Sequence, residues 1–212
     1  MGKIENYFFM KSLLKLLGQR HFFYRLVVIS LRVLAGILIL AGMASFFKAG
    51  KMLFDLPTKG AITGGILFLC FFVLATYAVI HILFLRAASV DKLQADEYFM
   101  LPLTAILCRL VGELYFFYVS LMAIGGGIFV WFTGKSQTIL LSPTPAFFPK
   151  LDQANFIGGI EYMLTAVLVS FLVLVASYAV AEALNLLVRK FRLSTAPHQV
   201  HEEPENQSRF GS

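Results

Sequence analysis

Six ionisable side chains fall inside long apolar stretches of this chain: Arg32, His81, Arg109, Glu113, Glu161 and Glu182. Charge is costly in hydrocarbon. Such residues therefore pair with one another, line a water-filled cavity, or carry ions and protons. Arg109 and Glu113 are spaced i, i+4, which places them on one face of a helix. Tyr77 and His81 share that spacing, and Tyr178, Glu182, Asn185 and Arg189 also follow helical periodicity. Counted from Arg25, Arg86 and Arg189, the residues Arg32, His81 and Glu182 lie roughly 7–10 Å inside their stretches. Arg109 sits at the same boundary, with Glu113 one turn deeper. Glu161 lies near the opposite end, where it reaches water.

The expectation is that helices bearing these stripes turn them toward one another, so that Glu113 and Glu182 share Arg109, Arg32 and His81. Two kinds of chemistry fit such a cluster of Arg32, His81, Arg109, Glu113, Glu182 and Asn185. One is a structural core of ion pairs and hydrogen bonds that fixes helix register. The other is a polar vestibule or a site for an ion, a proton or a lipid headgroup.

The elements that must position these residues are plain in the sequence. Four apolar stretches, at 26–47, 61–85, 103–132 and 156–188, each reach the roughly 20 residues of helix that a bilayer core of about 30 Å demands. Hydrophobic residues make up 58% of the 212-residue chain and its mean hydropathy is +0.78, so little is left for a water-soluble domain. The fold class expected is an all-α integral membrane protein with four transmembrane helices in one bundle.

Before the first span, Ile4–Leu17 reads as an interfacial amphipathic helix, giving a cytoplasmic segment at 1–25. Lys11, Lys15, Arg20 and Arg25 are its candidates for contact with anionic lipid headgroups. Residues 189–212 turn polar and proline-containing and read as a disordered cytoplasmic tail.

Four spans put both termini on one side. Lys3, Lys11, Lys15, Arg20, Arg25, Arg86, Lys92, Arg189, Lys190, Arg192 and Arg209 fall on that side, against Lys48, Lys51, Lys59, Lys135 and Lys150 on the other. The excess places both termini in the cytoplasm, and the chain is read as a plasma (inner) membrane protein. The net charge of +6 is read as this topology and not as a nucleic-acid surface.

Small residues mark where helices approach closely. Gly60 and Gly64 form a G-x-x-x-G at the start of span two. Gly125, Gly126 and Gly127 interrupt span three, where a kink is expected. Ala176, Ala179 and Ala183 run along one side of span four, with Ser177 and Ala181 on another.

The motifs of membrane enzymes are missing. Cys70 and Cys108 form no C-x-x-C pair, and there is no G-x-S-x-G or H-E-x-x-H. His81 alone lies well inside a span, which leaves no pair of haem ligands. No cofactor and no metal are expected. The functional expectation is a non-enzymatic membrane protein in an oligomeric assembly, as a homo-oligomeric channel or a scaffold subunit. The alternatives are an accessory subunit of a heteromeric complex and a small proton-coupled transporter using Glu113 or Glu182.

Overall fold

The computed structural model describes residues 20–92, 100–135 and 154–195. These form four α-helices: α1 (Arg20–Phe54), α2 (Lys59–Asp91), α3 (Met100–Thr133) and α4 (Phe156–Thr195). Each is long and apolar enough to cross a membrane. The expected amphipathic helix at 4–17, with Lys11 and Lys15, lies outside the described residues.

Every helix outruns its apolar stretch. Apolar length sets only the minimum span, and the flanking residues are helix formers that continue the hydrogen-bond ladder. The polar tail accordingly begins later than residue 189, because α4 continues to Thr195.

Helix ends follow local chemistry. Thr58 caps α2, its hydroxyl accepting from the Ala61 amide at 3.1 Å. Asn155 does the same for α4, accepting from the Gly158 amide at 2.6 Å. Gly134 closes α3 with φ +62°, a left-handed turn that glycine enters without steric penalty, and its amide donates to the Val130 carbonyl at 2.7 Å.

The helices pack in chain order: α1 on α2, α2 on α3, α3 on α4. No packing of comparable extent joins α1 to α4, so the bundle has an open seam. Half of the most apolar window of α3 is buried, against 17% for α1 and 11% for α4. The central helix is therefore α3, and α1 and α4 are the two edges.

One core, around Phe68, Phe72, Val119 and Phe129, fills the end near the α1–α2 turn. A second, around Leu31, Leu83, Val90 and Leu110, fills the other. Between α1, α2 and α3 an apolar groove of about 480 Å³ opens, lined by Leu38, Gly42, Phe72, Thr76, Leu114 and Tyr118.

Glycine sets the closeness of the central contacts. A Cβ on Gly125 would meet Phe71 of α2 at 2.8 Å, and one on Gly127 would meet the Sδ of Met163 in α4 at 2.7 Å. The triplet thus seats α3 between both neighbours. The helix runs through the triplet without a break, between packed neighbours on both sides. Gly64 packs against the Phe132 side chain, whereas Gly60 is exposed and meets nothing.

Candidate functional site

The only ion pair among the described residues joins Arg86 of α2 to Glu113 of α3. Arg86 Nε donates to Glu113 Oε2 at 2.8 Å, and Nη2 donates to Oε1, giving a two-pronged contact. Tyr178 of α4 donates its hydroxyl to the same Oε1 and accepts from Arg86 Nη2 at 3.4 Å. Arg109, one turn from Glu113, lies with its Cζ 5.4 Å from the centroid of the Tyr178 ring, a cation–π geometry. Its Nε is buried and has no hydrogen-bond partner among the described residues.

Three helices are therefore tied at one level by one carboxylate, two guanidiniums and one phenol. Both oxygens of Glu113 are engaged, and its residue is 9% exposed. A carboxylate held this way is a staple between helices. Each of α2, α3 and α4 contributes one arm, so the cluster fixes the rotation of each helix about its own axis.

Local packing explains why the arms meet. Gly112 lies against the Ser177 side chain, bringing α4 close beside Glu113. Deeper along the same contact, Ser120 and Ser170 share a buried hydrogen bond of 2.8 Å. Ser170 donates to the Val167 carbonyl at 3.0 Å, which leaves Ser120 as the donor to Ser170.

The structure brings together only part of the expected cluster. Arg109 and Glu113 are in it. Arg32, His81, Glu182 and Asn185 are exposed and lie outside it. His81 stacks on Tyr77 with centroids 5.9 Å apart and planes at 12°. The counter-charge that Glu113 takes is Arg86, which the sequence placed at the rim of span two. Its residue type and position give depth, but only the rotation of α2 shows that it points at α3.

Among the small residues, Ser177 and Ala181 face the packed side of α4, while Ala176, Ala179 and Ala183 are exposed. Gly126 is buried with its two glycine neighbours. Of the candidates for lipid-headgroup contact, Arg20 opens α1 and Arg25 is exposed on it.

No family model, curated protein or solved structure matches this chain.

A second level is set at the other ends of the helices. Trp131 of α3 donates its indole N–H to the Phe156 carbonyl at 3.0 Å and stacks on the Phe156 ring at 5.0 Å. Along α3 it stands about 27 Å from Glu113, and along α4 Phe156 stands about 33 Å from Tyr178. That separation is one hydrocarbon thickness. It matches the spacing expected of a tryptophan at one interface and charged groups at the other. Among the described residues no group of histidine, cysteine, aspartate or glutamate is arranged to hold a metal.

Proposed function

We propose that this chain is a non-enzymatic integral membrane protein that serves as a scaffold subunit of an oligomeric membrane assembly, with both termini cytoplasmic and its place in the plasma (inner) membrane. One observation carries the reading. The edge helices α1 and α4 expose most of their apolar surface and also expose Arg32 and Glu182. Charges near the membrane boundary ordinarily turn to protein or water, because facing lipid costs on the order of 2.5–3.5 kcal/mol at the centre and less toward the rim. Edges that pair apolar surface with unpartnered charge are suited to protein neighbours.

The engagement of both Glu113 oxygens supports scaffold over channel or proton-coupled transporter, since a pathway residue needs a free face. The bilayer, its anionic headgroups and other membrane chains are the partners this reading implies. The test is the native mass and composition of the complex after gentle extraction from its own membrane. Multiples of this chain support the proposal. A single chain with bound lipid overturns it, and stoichiometric foreign chains make the protein an accessory subunit of a heteromeric complex.

A further inference from the structure

The two edges of the molecule are complementary in charge. Along its length α1 carries cations and no acid, with Arg32 exposed toward one end and Lys51 in the last turn at the other. Before Arg189, α4 carries acids and no cation, exposing Glu161 at one end and Glu182 at the other. None of these four side chains has an ion-pair partner among the described residues.

The charges also match in height. Gly42 of α1 lies opposite Thr76 of α2, and Arg32 and Arg86 are each ten residues from that contact on the same side. Arg32 therefore stands level with the Arg86–Glu113–Tyr178 cluster, and Glu182 is one turn beyond Tyr178. At the other end Lys51 lies just inside the Leu53–Gly65 contact, and Glu161 just outside the Gly127–Met163 contact. Followed through α2 and α3, both come to the level of Leu67 and Phe129. Along their own axes the α1 charges are about 28 Å apart and the α4 charges about 32 Å.

Small residues lie between the charges on each edge. A Cβ on Gly36 would meet nothing within 4 Å, and Ala179 is exposed. Both edges thus allow close approach of a helix.

We infer that α4 of one copy docks against α1 of the next, antiparallel, with Glu182 meeting Arg32 and Glu161 meeting Lys51. This deepens the oligomeric reading and rests on it. The contact is heterologous, so it repeats from copy to copy and closes into a ring by rotation about the membrane normal. A two-fold pairing of like edges is disfavoured. It would set Arg32 against Arg32 on α1, or Glu182 against Glu182 on α4.

The experiment uses the full chain in native membranes. With Cys70→Ser and Cys108→Ser as background, Gly36→Cys and Ala179→Cys are introduced singly and together, and oxidation is followed by denaturing electrophoresis. The head-to-tail contact gives a ladder of dimers and higher multiples with the pair and monomers with either single variant. Dimers from a single-cysteine variant overturn it in favour of a two-fold contact.

Charge reversal is the second arm, read as the oligomeric fraction by native mass. Arg32→Glu and Glu182→Arg should each lower it at least several-fold, and the double variant should restore it. No loss in either single variant, or no recovery in the double, overturns the inference while a native mass of several chains leaves the oligomeric reading standing. A native mass of one chain overturns both.

Discussion

At the scale of single residues, Glu113 is the side chain on which most depends, and its partners differ in what they contribute. Arg86 supplies the neutralising charge. Replacing Glu113 by Gln leaves a guanidinium without its carboxylate at the membrane boundary and should lower stability by about 1–3 kcal/mol, read from thermal unfolding in detergent. Arg86→Gln should cost a similar amount. The double variant should cost clearly less than the two together, because each single change strands the other charge. Additive losses would show that the two side chains do not act as a pair. Tyr178→Phe keeps the ring beside Arg109 but removes a donor to Glu113, and should cost about 0.5–1 kcal/mol. A loss as large as that of Glu113→Gln would show that the phenol, not the arginine, is the main partner.

At this scale depth is legible in the sequence, but direction is not. The sequence picked out Glu113 and Arg109 from their spacing, and it ranked Arg32, His81 and Glu182 beside them because all lie near the same boundary. Which of them meet depends on how each helix is turned about its axis. That turn is set by side-chain packing such as Gly112 against Ser177, which hydropathy does not report.

At the scale of elements, glycines decide where helices touch. Gly60 and Gly64 form one motif in sequence and two environments in space. Gly60→Ala places its methyl in open space in the first turn of α2, so it should be close to neutral, within about 0.5 kcal/mol. An Ala at 64 drives a methyl into the Phe132 side chain and should destabilise by about 1–3 kcal/mol. The two single variants, compared by thermal unfolding in the same detergent, test this, and equal effects would contradict the α2–α3 contact described. The four helices themselves were legible because apolar runs of spanning length have few alternatives. Their ends were less so, because the helices continue into polar flanks where no hydropathy change marks a stop. The same ambiguity hid the side of α4 that packs, since Ala176, Ala179 and Ala183 are as small as Ser177 and Ala181 and differ only in azimuth.

At the scale of the whole molecule, the two levels lie about 30 Å apart, which matches the thickness of a bilayer core. Trp131 is the only tryptophan in the chain, so its fluorescence reports one of those levels without interference. In bilayers carrying brominated lipids, bromine near the top of the acyl chain should quench Trp131 more strongly than bromine near its end. The reverse order would move the boundary away from the Trp131–Phe156 stack.

The central position of α3 also bears on biogenesis. It carries both Arg109 and Glu113 within its span. In lipid by itself it would enter with its carboxylate lacking the two-pronged contact from Arg86. The partner it needs, Arg86, belongs to the helix made just before it, which α1 has already joined through a short turn. The order of synthesis thus delivers a paired hairpin first and the costly helix second, into a place where its charge is met. A chain lacking α1 and α2 should let α3 slip through the insertion machinery far more often than the intact chain does.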